Sequence, residues 1–159
     1  MRLFGWIHVA LGLLAIGSGA IALRGVLRIA LSTNQVVRFL RYSLIASVVG
    51  FLPVTHRLSP IQGICMLAVY CSGAVVLSWW RFRLAGLWGP VFAVFIVVLL
   101  YLSVVSVSIR LFRYSTLFAL ASMESGSCFE IAQFLFASVF AVLVVLAAKK
   151  HHGQRTYRF

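Results

Sequence analysis

Acid is what this sequence has least of. Its 159 residues hold two acidic side chains, Glu124 and Glu130, against 14 lysines and arginines, for a net charge of +12. Charged residues of both signs make up 10% of the chain, where a soluble domain carries about 25%. That shortage excludes a water-exposed globule, because too little polar surface exists to cover one. Regular alternation of apolar and polar residues is also missing. Runs such as "VFAVFIVVLLYLSVVSV" are apolar almost throughout, which excludes a membrane β-barrel, built from short alternating segments. There is no CxxC pair, and Cys65, Cys71 and Cys128 fall within or beside apolar runs, where a free thiol behaves as a small buried hydrophobe. No nucleophile–base pair, phosphate-cradling glycine loop or dinucleotide fingerprint occurs, so nothing in the sequence marks an enzyme. No internal repeat is visible.

Apolar residues dominate instead, at 63% of the chain. Several runs approach or exceed the roughly 18 residues that cross a bilayer as a helix. The expectation is an all-α integral membrane protein, a bundle of five transmembrane helices over about 3–23, 39–56, 60–80, 87–109 and 128–148. The N-terminus imitates a signal peptide, with a basic start, an apolar stretch and "AIA", and is read as the first span. Residues 1–148 then form one transmembrane domain, and 149–159, "KKHHGQRTYRF", a basic cytoplasmic tail whose His151 and His152 are solvated.

Charge placement sets the orientation. With five spans and the N-terminus outside, ten of the 14 basic residues fall inside: Arg24, Arg28, Arg38, Arg41, Arg81, Arg83, Lys149, Lys150, Arg155 and Arg158. If the short second run did not cross, the split would be seven against seven. The positive-inside rule favours the asymmetric arrangement, hence N-terminus out and C-terminus in. Basic residues between apolar runs meet anionic lipid head groups rather than nucleic acid. Arg24, Arg28, Arg38 and Arg41 are read in this role, with Trp79 and Trp80 in the aromatic belt. The inner segment "RGVLRIALSTNQVVRFLR" is either a short helix in the head-group layer or an extension of the first span that stops near Ser32, Thr33 and Asn34. Pro60 suits the first turn of the third span.

Small residues four apart allow close helix packing in lipid. The first span carries Ala15 and Gly19, with Gly12 on a neighbouring face, and the fifth carries Ala137 and Ala141. Both are expected to be packed on at least one face. The fourth, bulky all round, reads as facing lipid or a partner subunit.

In this topology His8, His56, Glu124, Cys128 and Glu130 converge on the outer leaflet, where ionisable residues inside a membrane mark a functional site. The plain readings are that His8 is an interfacial residue beside Trp6 and that His56 is a solvated turn residue beside Arg57. The sharper reading makes His8 and His56 the two ligands of one b-type haem. Glu130, Gln133, Ala137 and Ala141 form one helical stripe, opposite Phe129, Phe136, Phe140 and Leu143. The expectation is that Glu130 and Gln133 point inward and bond to Arg110, Arg113, His8 or His56.

The segments "HVALGLLAIGSGAIALRG", "YLSVVSVSIRLFR" and "FEIAQFLFASVFAVLVVLAAKK" resemble small bacterial multi-pass membrane proteins of unknown function. That family has a His in its first span, a small-residue motif after it, a basic inner loop and a last span that follows a polar outer segment. It often has a second His in the basic loop, where this chain reads "NQVVRFLRY". The resemblance implies architecture and a bacterial inner-membrane location more than an activity. Three functions are carried forward: a non-catalytic accessory subunit of a larger membrane complex, a haem electron carrier using His8 and His56, and a transporter or channel component using Glu130.

Overall fold

The computed structural model describes residues 2–28, 32–51, 60–84, 87–114 and 126–152, all but a few turn residues of them helical and none in a strand. Five α-helices follow in order: α1 (Arg2–Arg28), α2 (Thr33–Phe51), α3 (Pro60–Val76), α4 (Trp88–Tyr114) and α5 (Gly126–His152). Three helical stretches are long and apolar enough to cross a membrane: Phe4–Arg28, Ile61–Arg81 and Trp88–Leu111. The chain is thus an all-helical, membrane-embedded protein. α2 falls short of that measure because its first half carries Asn34, Gln35, Arg38 and Arg41. α5 contains a shorter apolar stretch, Gln133–Lys149.

The helix ends follow local chemistry. α1 continues unbroken to Arg28, and α2 begins at Thr33, with Gln35 N–H and Val36 N–H donating to the Ser32 carbonyl. Of the basic segment, residues 24–28 continue α1 and residues 33–41 form the first turns of α2. α3 opens on Pro60, whose missing N–H is one of those a helix start leaves unbonded. It widens over Leu77–Arg81 into a π turn. Phe82 N–H then reaches the Leu77 carbonyl, Leu84 N–H reaches that of Ser78, and Phe82 stacks on Trp88 with ring centroids 3.7 Å apart. α5 runs past the expected boundary at 148 to His152.

α1, α2, α3 and α4 form a square, each beside the next and α4 closing on α1, while α5 lies outside it against α4. Neighbours run antiparallel. Gly19 faces Phe39 of α2 and Leu100 of α4, and Gly12 faces Val107. Glycine at these positions lets the helix backbones approach, and Ala15 between them is fully buried. The expectation for α1 is met.

α4 corrects an expectation. It is the most enclosed of the three long apolar helices, with Phe92, Ala93, Ile96, Val97 and Leu99 wholly buried. A helix that is hydrophobic all round is a buried one, and α4 takes contacts from α1, α3 and α5. The peripheral helix is α5. Its inward stripe is Gln133, Ala137, Phe140, Val144 and Ala147, while Ala141 is exposed. Phe140, expected on the outer side, packs on Tyr101 at 5.3 Å. The stripe drifts because its steps alternate four and three residues rather than repeating four.

Hydroxyls are satisfied locally. Ser18, Ser47, Ser72, Ser78, Ser103 and Ser138 each donate to the carbonyl four residues earlier. This is the usual resolution for a hydroxyl in a helix that has no water beside it.

Candidate functional site: a buried polar cluster

Ser106 is bonded differently. Ser106, on α4, is bonded across the bundle to His8 of α1, with Nε2 to Oγ 2.8 Å. The other ring nitrogen of His8, Nδ1, lies 2.8 Å from the Ala46 carbonyl of α2. A carbonyl only accepts, so Nδ1 donates. In the neutral ring Nε2 then accepts, and the Ser106 hydroxyl is its donor. His8 is 2% exposed. The reading of it as an interfacial residue beside Trp6 is therefore corrected: Trp6 is exposed, whereas His8 faces the opposite way, into the square.

Around this link the helices supply small and polar groups. α2 buries Ser43, Ala46, Ser47 and Gly50 on one face. A Cβ placed on Gly50 would sit 2.6 Å from Cys65 Sγ of α3 and 2.7 Å from His8 Cε1, so only glycine admits the imidazole here. One turn beyond Ser106 on α4, Arg110 donates through Nη2 to the Gly50 carbonyl at 3.4 Å. Arg110 is 7% exposed, and its Nε has no hydrogen-bond partner among the described residues. The cavity inside the cluster measures about 10 Å³, room for no more than a single water. Among the described residues, no group of three or more His, Cys, Asp or Glu side chains is placed to hold a metal ion.

His8 meets α2 and α4 toward one end of the bundle; the side chains expected to converge on it there, His56, Glu124, Cys128 and Glu130, are outside the described set. His56, Arg57 and Glu124 lie outside the described residues, so the His8–His56 pairing does too. Both ring nitrogens of His8 are engaged within the protein, and the adjoining space would not admit a macrocycle. His8 as it stands does not fit a haem ligand. Glu130 and Cys128 lie at the start of α5, and their side chains are outside the described set. Gln133 is half-buried.

At the other end of the bundle, Arg24, Arg28, Arg38 and Arg41 are all exposed, Trp80 is 83% exposed, and Trp79 packs partly against the core. Sequence reasoning did not single out Ser106 or Gly50, while Cys65, read as a small buried hydrophobe, is buried at 3% exposure. A signal existed in "SLIASVVG", which puts Ser43, Ala46, Ser47 and Gly50 on one helical face. A second lay in Ser106 and Arg110, four apart at the end of an otherwise apolar run.

No protein-family model, curated protein or solved structure matches this chain. Its function has to be read from its own residues.

Proposed function

We propose that this protein is a five-span bacterial inner-membrane protein, N-terminus out and C-terminus in, that serves as a non-catalytic accessory subunit of a larger membrane complex. The observation that supports this is the His8 cluster. The chain's most chemically able described side chains are committed to holding α1, α2 and α4 together, around a space of about 10 Å³. They form a clamp, not a chamber for substrate.

Glu130 belongs to the same clamp in this reading. α4 and α5 pack antiparallel, with Tyr101 opposite Phe140. Nine residues on from Tyr101 is Arg110, and nine residues before Phe140 is Ile131. That register carries Glu130 to the level of the unpartnered Arg110 Nε. A buried cation in the membrane needs a partner, and Glu130 is the chain's own supply of one. The outward side of α5, with Phe134, Leu135, Val142 and Val145 exposed, is the face offered to a neighbouring subunit.

The test is photo-crosslinking from single α5 positions in native membranes, followed by extraction in mild detergent. A probe at Phe134 should trap one stoichiometric membrane protein, while a probe at Leu13 on exposed α1 should not. If the chain elutes alone and neither probe traps a protein, the accessory-subunit reading fails.

A further inference from the structure

Away from the clamp, a large opening lies in the seam between α2 and the end of α3. It has a volume of about 970 Å³ and walls of Val37, Leu40, Leu44, Val69, Val76 and Leu77. Arg41 and Arg83 line it together with Trp79 and Trp80. Past Val69 it meets a second hollow of about 380 Å³, which runs toward Phe51 and Met66. From Val69 to Trp80 the helix rises about 16 Å, close to one leaflet of a hydrocarbon core about 30 Å thick.

We propose that this groove holds one anionic glycerophospholipid, with its phosphate between Arg41 and Arg83 and an acyl chain laid along α2 and α3 past Gly73. The inference does not depend on the accessory-subunit reading.

Three observations lead to it. The first is charge. The chain's two acids are Glu124 and Glu130, and Glu130 enters α5 at the end of the bundle opposite the groove's arginines. Among the described residues no acid lies at the end that carries Arg41 and Arg83, and the groove combines apolar walls with a cationic mouth. The match is to an amphiphile with an anionic head, and not to a soluble anion or an uncharged hydrocarbon. The second is Gly73. Mid-helix glycine costs about 1 kcal/mol relative to alanine, and the buried glycines Gly12, Gly19 and Gly50 are required by close neighbours. Gly73, which is exposed, is not: a Cβ there, as at Gly17 and Gly63, would meet nothing within 4 Å. Its missing side chain widens the groove it lines. The third is the turn that presents Arg83. Arg83 and Leu84 hold φ of 47° and 57°, a left-handed backbone that side chains other than glycine's adopt at a cost. Leu84 is buried and pins the turn, which leaves Arg83 at the mouth of the groove.

The experiment is native mass spectrometry of the full chain in mild detergent, titrated with phosphatidylglycerol or with phosphatidylcholine of the same acyl chains. One phosphatidylglycerol should be retained per chain, in clear preference to phosphatidylcholine. Inorganic phosphate should not displace it, because it lacks the chain that fills the groove. Arg41→Gln and Arg83→Gly should each weaken retention about fivefold. Arg83→Gly relieves the left-handed backbone, so its loss of binding would come without loss of fold. Gly73→Leu should abolish retention of both lipids while leaving helical content unchanged. Equal retention of the two lipids, displacement by phosphate, a lipid-free dimer, or undiminished binding by Gly73→Leu would each overturn the proposal. Should any variant misfold, tryptophan quenching in the unmodified protein decides. Phosphatidylglycerol with brominated chains should quench Trp79 and Trp80 at low mole fraction, and brominated phosphatidylcholine only in proportion to its share of the bilayer; equal quenching counts against the site.

Discussion

Replacing Gly50 with alanine tests the packing of the clamp most directly. The added methyl would lie 2.6 Å from Cys65 Sγ, 2.7 Å from His8 Cε1 and 2.8 Å from His8 Nδ1. The imidazole has no slack with which to yield. It is held at 2.8 Å by the Ala46 carbonyl, one turn earlier on the same helix, and at 2.8 Å by Ser106 on α4. Either Cys65 moves or at least one His8 bond breaks. Overpacking costs about 1–3 kcal/mol, and each interhelical hydrogen bond lost in a membrane protein costs about 0.6 kcal/mol. The gain from helix propensity, about 1 kcal/mol, offsets part of this. The net destabilisation is then about 0.5–2.5 kcal/mol. Gly63→Ala on α3 is the control, since its Cβ meets nothing within 4 Å; it should be neutral or stabilising by up to about 1 kcal/mol. Reversible unfolding of both variants in mixed micelles, followed by loss of helix, measures the difference. If Gly50→Ala proves as stable as Gly63→Ala, α1, α2 and α3 are not packed through His8 as described.

Three further outcomes are expected. Ser106→Ala should destabilise the fold by about 1 kcal/mol in the same assay, because His8 Nε2 loses its partner in a closed space. Arg110→Leu and Glu130→Leu should couple in a double-mutant cycle by about 0.5–3 kcal/mol if the two side chains share the clamp, with Glu130→Gln tolerated; a coupling of zero separates them. Proteolysis of sealed cells should leave the "KKHHGQRTYRF" tail intact from outside, and digestion from the outer face would reverse the proposed orientation.

The sequence made the helical membrane class legible because composition alone decides it: two acids in 159 residues cannot clothe a soluble domain. It also pointed to the packed face of α1, since Gly12, Ala15 and Gly19 are conspicuous among bulky neighbours. It misled on α4 for a physical reason. In lipid, a uniformly apolar helix has the same surface whether it meets acyl chains or other helices, so "VFAVFIVVLL" cannot announce its own burial. Position in the square settled that. His8 was legible as a site but not in its role. One histidine in an apolar run looks alike as ligand, interfacial residue or internal bridge until its two nitrogens are given partners, and those partners are 38 and 98 residues away. Arg41, Trp79 and Trp80 were read as interfacial. That they share a groove with Arg83 depends on the π turn at Leu77–Arg81, which no local propensity signals.

The two ends of the bundle differ in how their polar groups are neutralised. At the His8 end, His8, Ser106, backbone carbonyls and Arg110 bond to one another across α1, α2 and α4, and in sequence Glu130 is the fifth residue of α5 and Glu124 precedes that helix by two. At the far end, Arg24, Arg28, Arg38, Arg41, Arg81, Arg83 and Lys149 are exposed, and no acid lies near in the chain. The first end is bonded internally through His8, Ser106 and Arg110, and so its contacts can set the helix spacing. The second is complete only against a negatively charged surface. In the proposed topology, a membrane with anionic lipid on one side would supply that surface and orient the chain. In the proposed lipid site it would also supply the phosphate between Arg41 and Arg83. Raising the anionic lipid content should therefore stabilise the unmodified protein more than the Arg41→Gln, Arg83→Gly double variant. Equal stabilisation would assign the effect to diffuse surface charge, with no seat in the groove.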